Sequence, residues 1–319
     1  MKIVIAGGSG QVGQVLARSF EGEGDDVVIL ARQPFGKGTG RFVQWDGREL
    51  GGWVDELDAA DVLINLAGRS VNCRYDAKHR AEIVQSRVES TKVVGRAIAQ
   101  ARRRPRVWLQ AGTATIYPHR YDAPNDETSP LADERRRDVP ETWRFSVGVG
   151  KAWERAFNEA PSSPSTRKIL LRTTLVMNPD PGSVFDVLLG LVRRGLGGRV
   201  GNGRQYVSWI HDVDLCRAVH WMIEHENFSG AVNVAAPNPV PNADFMRILR
   251  EAWGIRFGLP APRLILEIGT FLLRTESELV LKSRRVIPGR LLQDGFQFQF
   301  PDWPSAARDL CQRWRQSSS

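Results

Sequence analysis

Three cysteines in 319 residues, Cys73, Cys216 and Cys311, are scattered, odd in number and never spaced C-x-x-C. That excludes a disulfide framework and gives no zinc-ligand pattern, so a reducing compartment is expected. No apolar run approaches bilayer length, and a core strand starting at residue 2 or 3 leaves no room for a signal peptide, so the expectation is a cytoplasmic protein with no membrane partner. No H-E-x-x-H helix, G-x-S-x-G elbow or glycosidase-like carboxylate pair can be found, and no metal site is expected. The formal charge of +8 raises nucleic acid as a partner. Its basic clusters have simpler accounts: Arg102–Arg104 with Arg106 follows a helical pattern, and Arg135–Arg137 lies among Asp133, Glu134 and Asp138. Neither is interleaved with aromatics, so nucleic acid is not expected.

What is present begins at residue 3. Ile3, Val4 and Ile5 read as a buried strand that runs into Gly7, Gly8, Ser9, Gly10, Gln11, Val12 and Gly13 and then a helix to Phe20. Strand, glycine turn and helix in that order form a phosphate cradle. Gly7 permits the turn, Gly10 lets backbone approach a pyrophosphate, and Gly13 brings helix close to strand. Further strands at Asp26–Ala31, Asp61–Leu66 and Val107–Ala111 alternate with a long helix over Ala77–Ala101. A helix over Thr142–Glu159 and a strand at Lys168–Arg172 follow. The alternation predicts an α/β fold, a Rossmann-type doubly wound parallel sheet.

Beyond Val176 the pattern loosens into an apolar helix near Phe185–Val192 and a glycine-rich turn at Gly195–Gly203. It then returns to strand and helix over Ser208–Glu226, with a strand at Ala231–Val234 and a helix at Asn242–Trp253. The expected organisation is a dinucleotide-binding domain over 1–176 that also receives about 208–235. A smaller, interleaved substrate lobe would come from 177–207 and 236–301, and a C-terminal helix and tail from 302–319.

The second strand ends Ile29-Leu30-Ala31-Arg32. A site for an unphosphorylated ribose usually ends that strand with an acid; here alanine removes the acceptor and Arg32 offers a forked cation, so NADP(H) is preferred over NAD(H).

These residues resemble the extended short-chain dehydrogenase/reductases, and more closely the atypical branch of nucleoside-diphosphate-sugar epimerases with a small C-terminal region. The likeness runs through GGSGQVG at 7–13, WDG at 45–47, INLAGRSVNCRY at 64–75, SRVEST at 86–91 and AGTATIYP at 111–118. It continues through LRTTLVM at 171–177, GNGRQYVSWIHDVDL at 201–215, NVAAPNPVPNADF at 233–245 and RVIPGRLLQDGFQFQFP at 285–301. The resemblance implies a nucleotide along Gly7–Gly13 and Arg32, with Asp46 near the adenine and Leu66, Ala67 and Gly68 beside the phosphates and ribose. It implies a cleft for a small-molecule substrate, with Tyr75, Tyr117, Arg204, Trp209 and His211 as wall candidates. Core packing is the other reading of Tyr117 and Trp209, and a structural hydrogen bond to Asp212 or Asp214 that of His211.

The family reaction needs a tyrosine as acid/base and a lysine four residues later that stabilises its anion, because a free phenol titrates near pH 10. Four residues after Tyr75, Tyr117, Tyr121 and Tyr206 stand His79, Tyr121, Asn125 and Ile210. On the helix where the pair belongs, Ser146 and Gly150 occupy its two positions, or Val147 and Lys151 in the adjacent register. Thr113 holds the Ser/Thr position, as a substrate-orienting hydroxyl or as a β-branched strand end. The expectation is an NADP-binding oxidoreductase or nucleotide-sugar epimerase without the usual pair, with Thr113 and His211 as candidate catalytic groups. The alternative is a non-catalytic NADP-sensing regulatory or scaffold protein.

Overall fold

The computed structural model describes residues 1–36, 38–261 and 282–317. Part of the span 236–301 and the last two serines of the tail therefore lie outside the described residues. Four consecutive apolar residues make β1 (Lys2–Ala6) a central strand buried from Ile3 to Ala6, with Lys2 half-buried at its start. Ile3 and Ile5 face one layer of the core, and Val4 and Ala6 the other. The elements follow as α1 (Gln11–Gly22), β2 (Asp26–Ala31), β3 (Arg41–Gln44), β4 (Val62–Asn65), α2 (Ala77–Gln100), β5 (Val107–Thr113), α3 (Glu141–Glu159) and β6 (Arg167–Thr173). After them come β7 (Leu175–Met177), α4 (Val184–Arg193), β8 (Tyr206–Val207), β9 (Trp209–His211), α5 (Asp212–Glu224), β10 (Gly230–Val234), β11 (Val240–Pro241) and α6 (Asn242–Trp253).

Seven strands form one sheet in the order β10-β6-β5-β4-β1-β2-β3, every neighbouring pair parallel. The α/β, Rossmann-type doubly wound sheet expected from the alternation is the fold observed. Residues of α1 and α5 pack on one face and residues of α2 and α3 on the other. Strand order reverses at β1 and β4, whose carboxyl ends open the crevice where such sheets bind ligands. Two small ladders, β7 with β9 and β11 with β8, lie outside the sheet. A separate core joins Phe185 and Leu189 of α4, Phe245 and Leu249 of α6, and Trp303, Ala307 and Leu310 of the helix Trp303–Ser317. Among the described residues no helix is long and apolar enough to cross a membrane.

That last helix is fastened to the first turn of α5. Arg313 donates to both carboxylate oxygens of Asp212 at 2.8 and 2.7 Å, and His211 Nε2 meets Asp309 at 3.0 Å. Burial opposes the charge on Asp212, but hydrogen bonds from His211 and Arg313 outweigh it and hold the carboxyl at about 2. A depressed carboxylate stabilises the fold above its ordinary range and stops doing so as pH falls through its folded value. Asp212→Asn is therefore expected to cost on the order of 2 kcal/mol in urea unfolding at pH 7, a difference that shrinks towards zero by about pH 2. An equal loss at both pH values would contradict this linkage.

Candidate functional site

The crevice is built by glycines that permit contacts no side chain would. Gly7 follows β1 with φ of +73°, and a Cβ there would stand 2.8 Å from both the Cα and N of Ala67. The turn after β1 and the strip Leu66–Gly68 after β4 therefore touch backbone to backbone. Asn65, buried at the end of β4, accepts from the Ala67 N–H at 3.0 Å and donates to Gln110 at 3.0 Å, which sets the path of that strip. A Cβ on Gly13 would lie 2.5 Å from the Cα and carbonyl oxygen of Gly8, so α1 is pressed against the turn. Gly10 differs, because a Cβ there would meet only the Gly7 oxygen at 3.6 Å. It is exposed and precedes α1 without a side-chain cap. The first N–H groups and the positive end of α1 are thus available to an anion.

Gly7, Ser9, Gly10, Arg32, Asp46, Leu66, Ala67 and Gly68 all line one cleft of about 850 Å³. Gly8 and Gly13 lie behind it as packing residues, and Gln11 turns away to donate to the Pro181 carbonyl at 2.9 Å. Arg32 is exposed just beyond β2 and has no hydrogen-bond or ion-pair partner among the described residues. Asp46 accepts from the N–H groups of Glu49 at 3.0 Å and Arg48 at 2.8 Å, bonds that hold its carboxyl below the usual range. Arg69, Ser86 and Ser90 also line the cleft and were not anticipated. Ser86 and Ser90 stand four apart on α2, the one sequence signal that they share a helix face.

Thr113 ends β5, its hydroxyl oxygen accepting from the Thr115 N–H at 3.1 Å. A Cβ on Gly150 would stand 3.1 Å from the Thr113 methyl carbon, so that position of α3 faces Thr113 directly. Lys151, in the neighbouring register, points to Glu134 and forms an ion pair. Nothing on α3 supplies a phenol with an ammonium four residues on.

The substrate-wall candidates are not brought together. Tyr117 is 1 % exposed; its hydroxyl donates to Asn233 at 2.9 Å and accepts from Arg172 at 2.8 Å, while Arg172 also grips Glu154 at 2.8 and 2.9 Å. Burial raises the pKa of that phenol. Trp209 packs against Trp303 in the separate core. His211 is fully buried between Asp212 and Asp309 and stacks on Phe300 at 3.9 Å. Tyr75 lies edge-on to Phe145 of α3 at 5.1 Å, and Arg204 is exposed over Tyr121. Sequence shows aromatic type but not the distant partners that decide burial.

Comparison with known proteins places this architecture. Residues 261–310 match a domain of unknown function, DUF1731. The human epimerase family protein SDR39U1 is 29% identical over 313 residues, covering 97% of this chain and 99% of its own. The Staphylococcus epidermidis epimerase family protein SERP0438 is 30% identical over 311 residues, covering 97% and 98%. Among solved structures, human SDR39U1 crystallised with NADPH superposes with a TM-score of 0.83 at 27% identity, covering 98% of this chain and 99% of that one. A nucleoside-diphosphate sugar epimerase from Corynebacterium glutamicum gives 0.74 at 28% identity, covering 98% of this chain and 58% of that one. With residues 3–235 matching it, the chain belongs to the NAD dependent epimerase/dehydratase family.

Proposed function

We propose that the chain binds NADP(H) in the cleft between β1 and β4 and acts as an oxidoreductase or nucleotide-sugar epimerase without the tyrosine–lysine pair. The observation that carries the reading is Arg32, a cation beyond β2 with no partner among the described residues, standing where a site for an unphosphorylated ribose has an acid. The cradle fits the group, since a Cβ at Gly7 or Gly13 would collide with backbone while Gly10 leaves the cleft open. Arg32 would hold the 2′-phosphate in a bidentate grip, the start of α1 the pyrophosphate, and Leu66–Gly68 and Asp46 the ribose and adenine borders. The NADPH in the human relative's crystal structure supports this. When bound, the dinucleotide supplies hydride chemistry. Thr113 would orient the substrate oxygen, and with no phenol–ammonium pair on α3 and His211 fully buried outside the cleft, water or a group of the substrate would supply the proton.

Arg32→Ala is expected to weaken NADPH binding about 10- to 100-fold, the loss of one or two charge-assisted hydrogen bonds, and to leave NADH within about twofold. Equal effects on both would remove the role of Arg32. The second reading, a non-catalytic NADP sensor, is favoured by Gly150, whose close approach to Thr113 puts a bare backbone where the family keeps its lysine. Loss of the reduced-nicotinamide signal on adding carbonyl substrates separates the two, because a sensor leaves it unchanged.

A further inference from the structure

Arg87, near the middle of α2, differs from the paired arginines Arg48, Arg69 and Arg80. Arg48 pairs with Glu89 at 2.9 Å, Arg69 with Glu82 at 2.7 Å, and Arg80 with Glu141. Arg87 has no carboxylate partner among the described residues. Its Nη1 donates to the carbonyls of Arg69 and Ile83, each at 3.0 Å, and its guanidinium lies over the indole of Trp153 on α3 at 5.0 Å. Two of its five N–H groups are thus used on backbone, and the three on Nε and Nη2 meet no acceptor among the described residues. Burial pulls its pKa down to about 10, so the charge is held against desolvation.

Its location gives that charge a direction. The guanidinium carbon would stand 3.2 Å from a Cβ on Gly68, and Gly68 lines the cleft together with Ser86 and Ser90, which flank Arg87 on its own helix. On the facing helix, Trp153 is three residues beyond Gly150, the place of the absent lysine. Arg87 therefore stands between the strip Leu66–Gly68 and the part of α3 that would carry an ammonium. Resting on the dinucleotide reading above, we infer that Arg87 holds an oxygen of the nicotinamide-side ribose and so replaces the missing lysine as its positioning cation. Nε and Nη2 are not among the buried unpartnered atoms, so these donors are open to solvent and within reach of a ligand hydroxyl.

Arg87→Met, Arg87→Lys and the unaltered protein would be titrated with NADPH and with adenosine 2′,5′-bisphosphate, which lacks the nicotinamide ribose, and melted without ligand. Arg87→Met is expected to weaken NADPH about tenfold and the bisphosphate less than about twofold. Its melting temperature should be unchanged or higher, since an uncompensated charge is removed, and Arg87→Lys should recover part of the NADPH affinity. Equal weakening of both ligands, or a lowered melting temperature with no selective loss, would make Arg87 a packing residue and overturn the inference. So would unchanged NADPH binding in Arg87→Met while the bisphosphate still binds. Failure of the unaltered protein to bind the bisphosphate would instead overturn the dinucleotide reading beneath it.

Discussion

Gly13→Ala is expected to weaken NADPH binding by about 100-fold or more and to destabilise the free protein by about 1–3 kcal/mol. Its Cβ would stand 2.5 Å from the Cα and carbonyl oxygen of Gly8, whereas carbon atoms in contact need roughly 3.5–4.0 Å. Backbone must therefore move by about 1 Å, either lifting α1 from the sheet or displacing the turn after β1. Both movements take the first N–H groups of α1 away from where phosphate oxygens would be, and losing two charge-assisted bonds accounts for the factor. Gly10→Ala is the control. Its φ of −78° suits any residue and its Cβ would touch nothing closer than 3.6 Å, so stability should hold within about 0.5 kcal/mol while binding falls because the methyl faces the ligand. Urea unfolding and NADPH titration of both variants distinguish packing from ligand contact. Full NADPH affinity in Gly13→Ala would remove the cradle from the account.

The second large effect lies at the buried contact of α3 with β6. Glu154 of α3 and Arg172 of β6 are 8 % and 7 % exposed and joined by two parallel hydrogen bonds, with Tyr117 and Asn233 completing the network. Glu154→Leu strands a guanidinium in the core and is expected to cost about 3–5 kcal/mol. The double variant with Arg172→Met should recover most of that, because removing both charges also removes the desolvation they suffer. Unfolding of the two single variants and the double variant completes the cycle. If Glu154→Leu alone costs under about 1 kcal/mol, the pair does not anchor α3. This matters for function because the same helix carries Gly150 against Thr113.

Much of the architecture was legible because its signals are local. The run Ile3–Gly13 places strand, turn and helix within a few residues, and Arg32 could be read as ending a strand because Asp26–Ala31 is continuously apolar after its first residue. β3 escaped notice: RFVQ is a four-residue edge strand, exposed at both ends and half-buried between, lacking the apolar run that marks the central strands. The surroundings of His211 and Tyr117 were not legible for a different reason. His211 meets Asp212, the neighbour its sequence already offered, but also Asp309, 98 residues on, and Tyr117 meets Asn233, 116 residues on; no spacing rule connects the distant pairs. Arg87 was invisible for the converse reason, since its distinguishing property is a counter-charge that the described residues do not provide. Gly150 and Ser146 could be read by setting the family's pattern on the helix, in one of two registers, and the folded helix sets Gly150 against Thr113.

The central claim is that the cleft between β1 and β4 takes a 2′-phosphorylated dinucleotide, and a fluorescence titration of the purified protein with NADPH and NADH tests it most directly. Saturable binding with NADPH tighter by about 10- to 100-fold is the predicted result, the margin set by Arg32. Equal affinity for the two, or binding of neither, would contradict it.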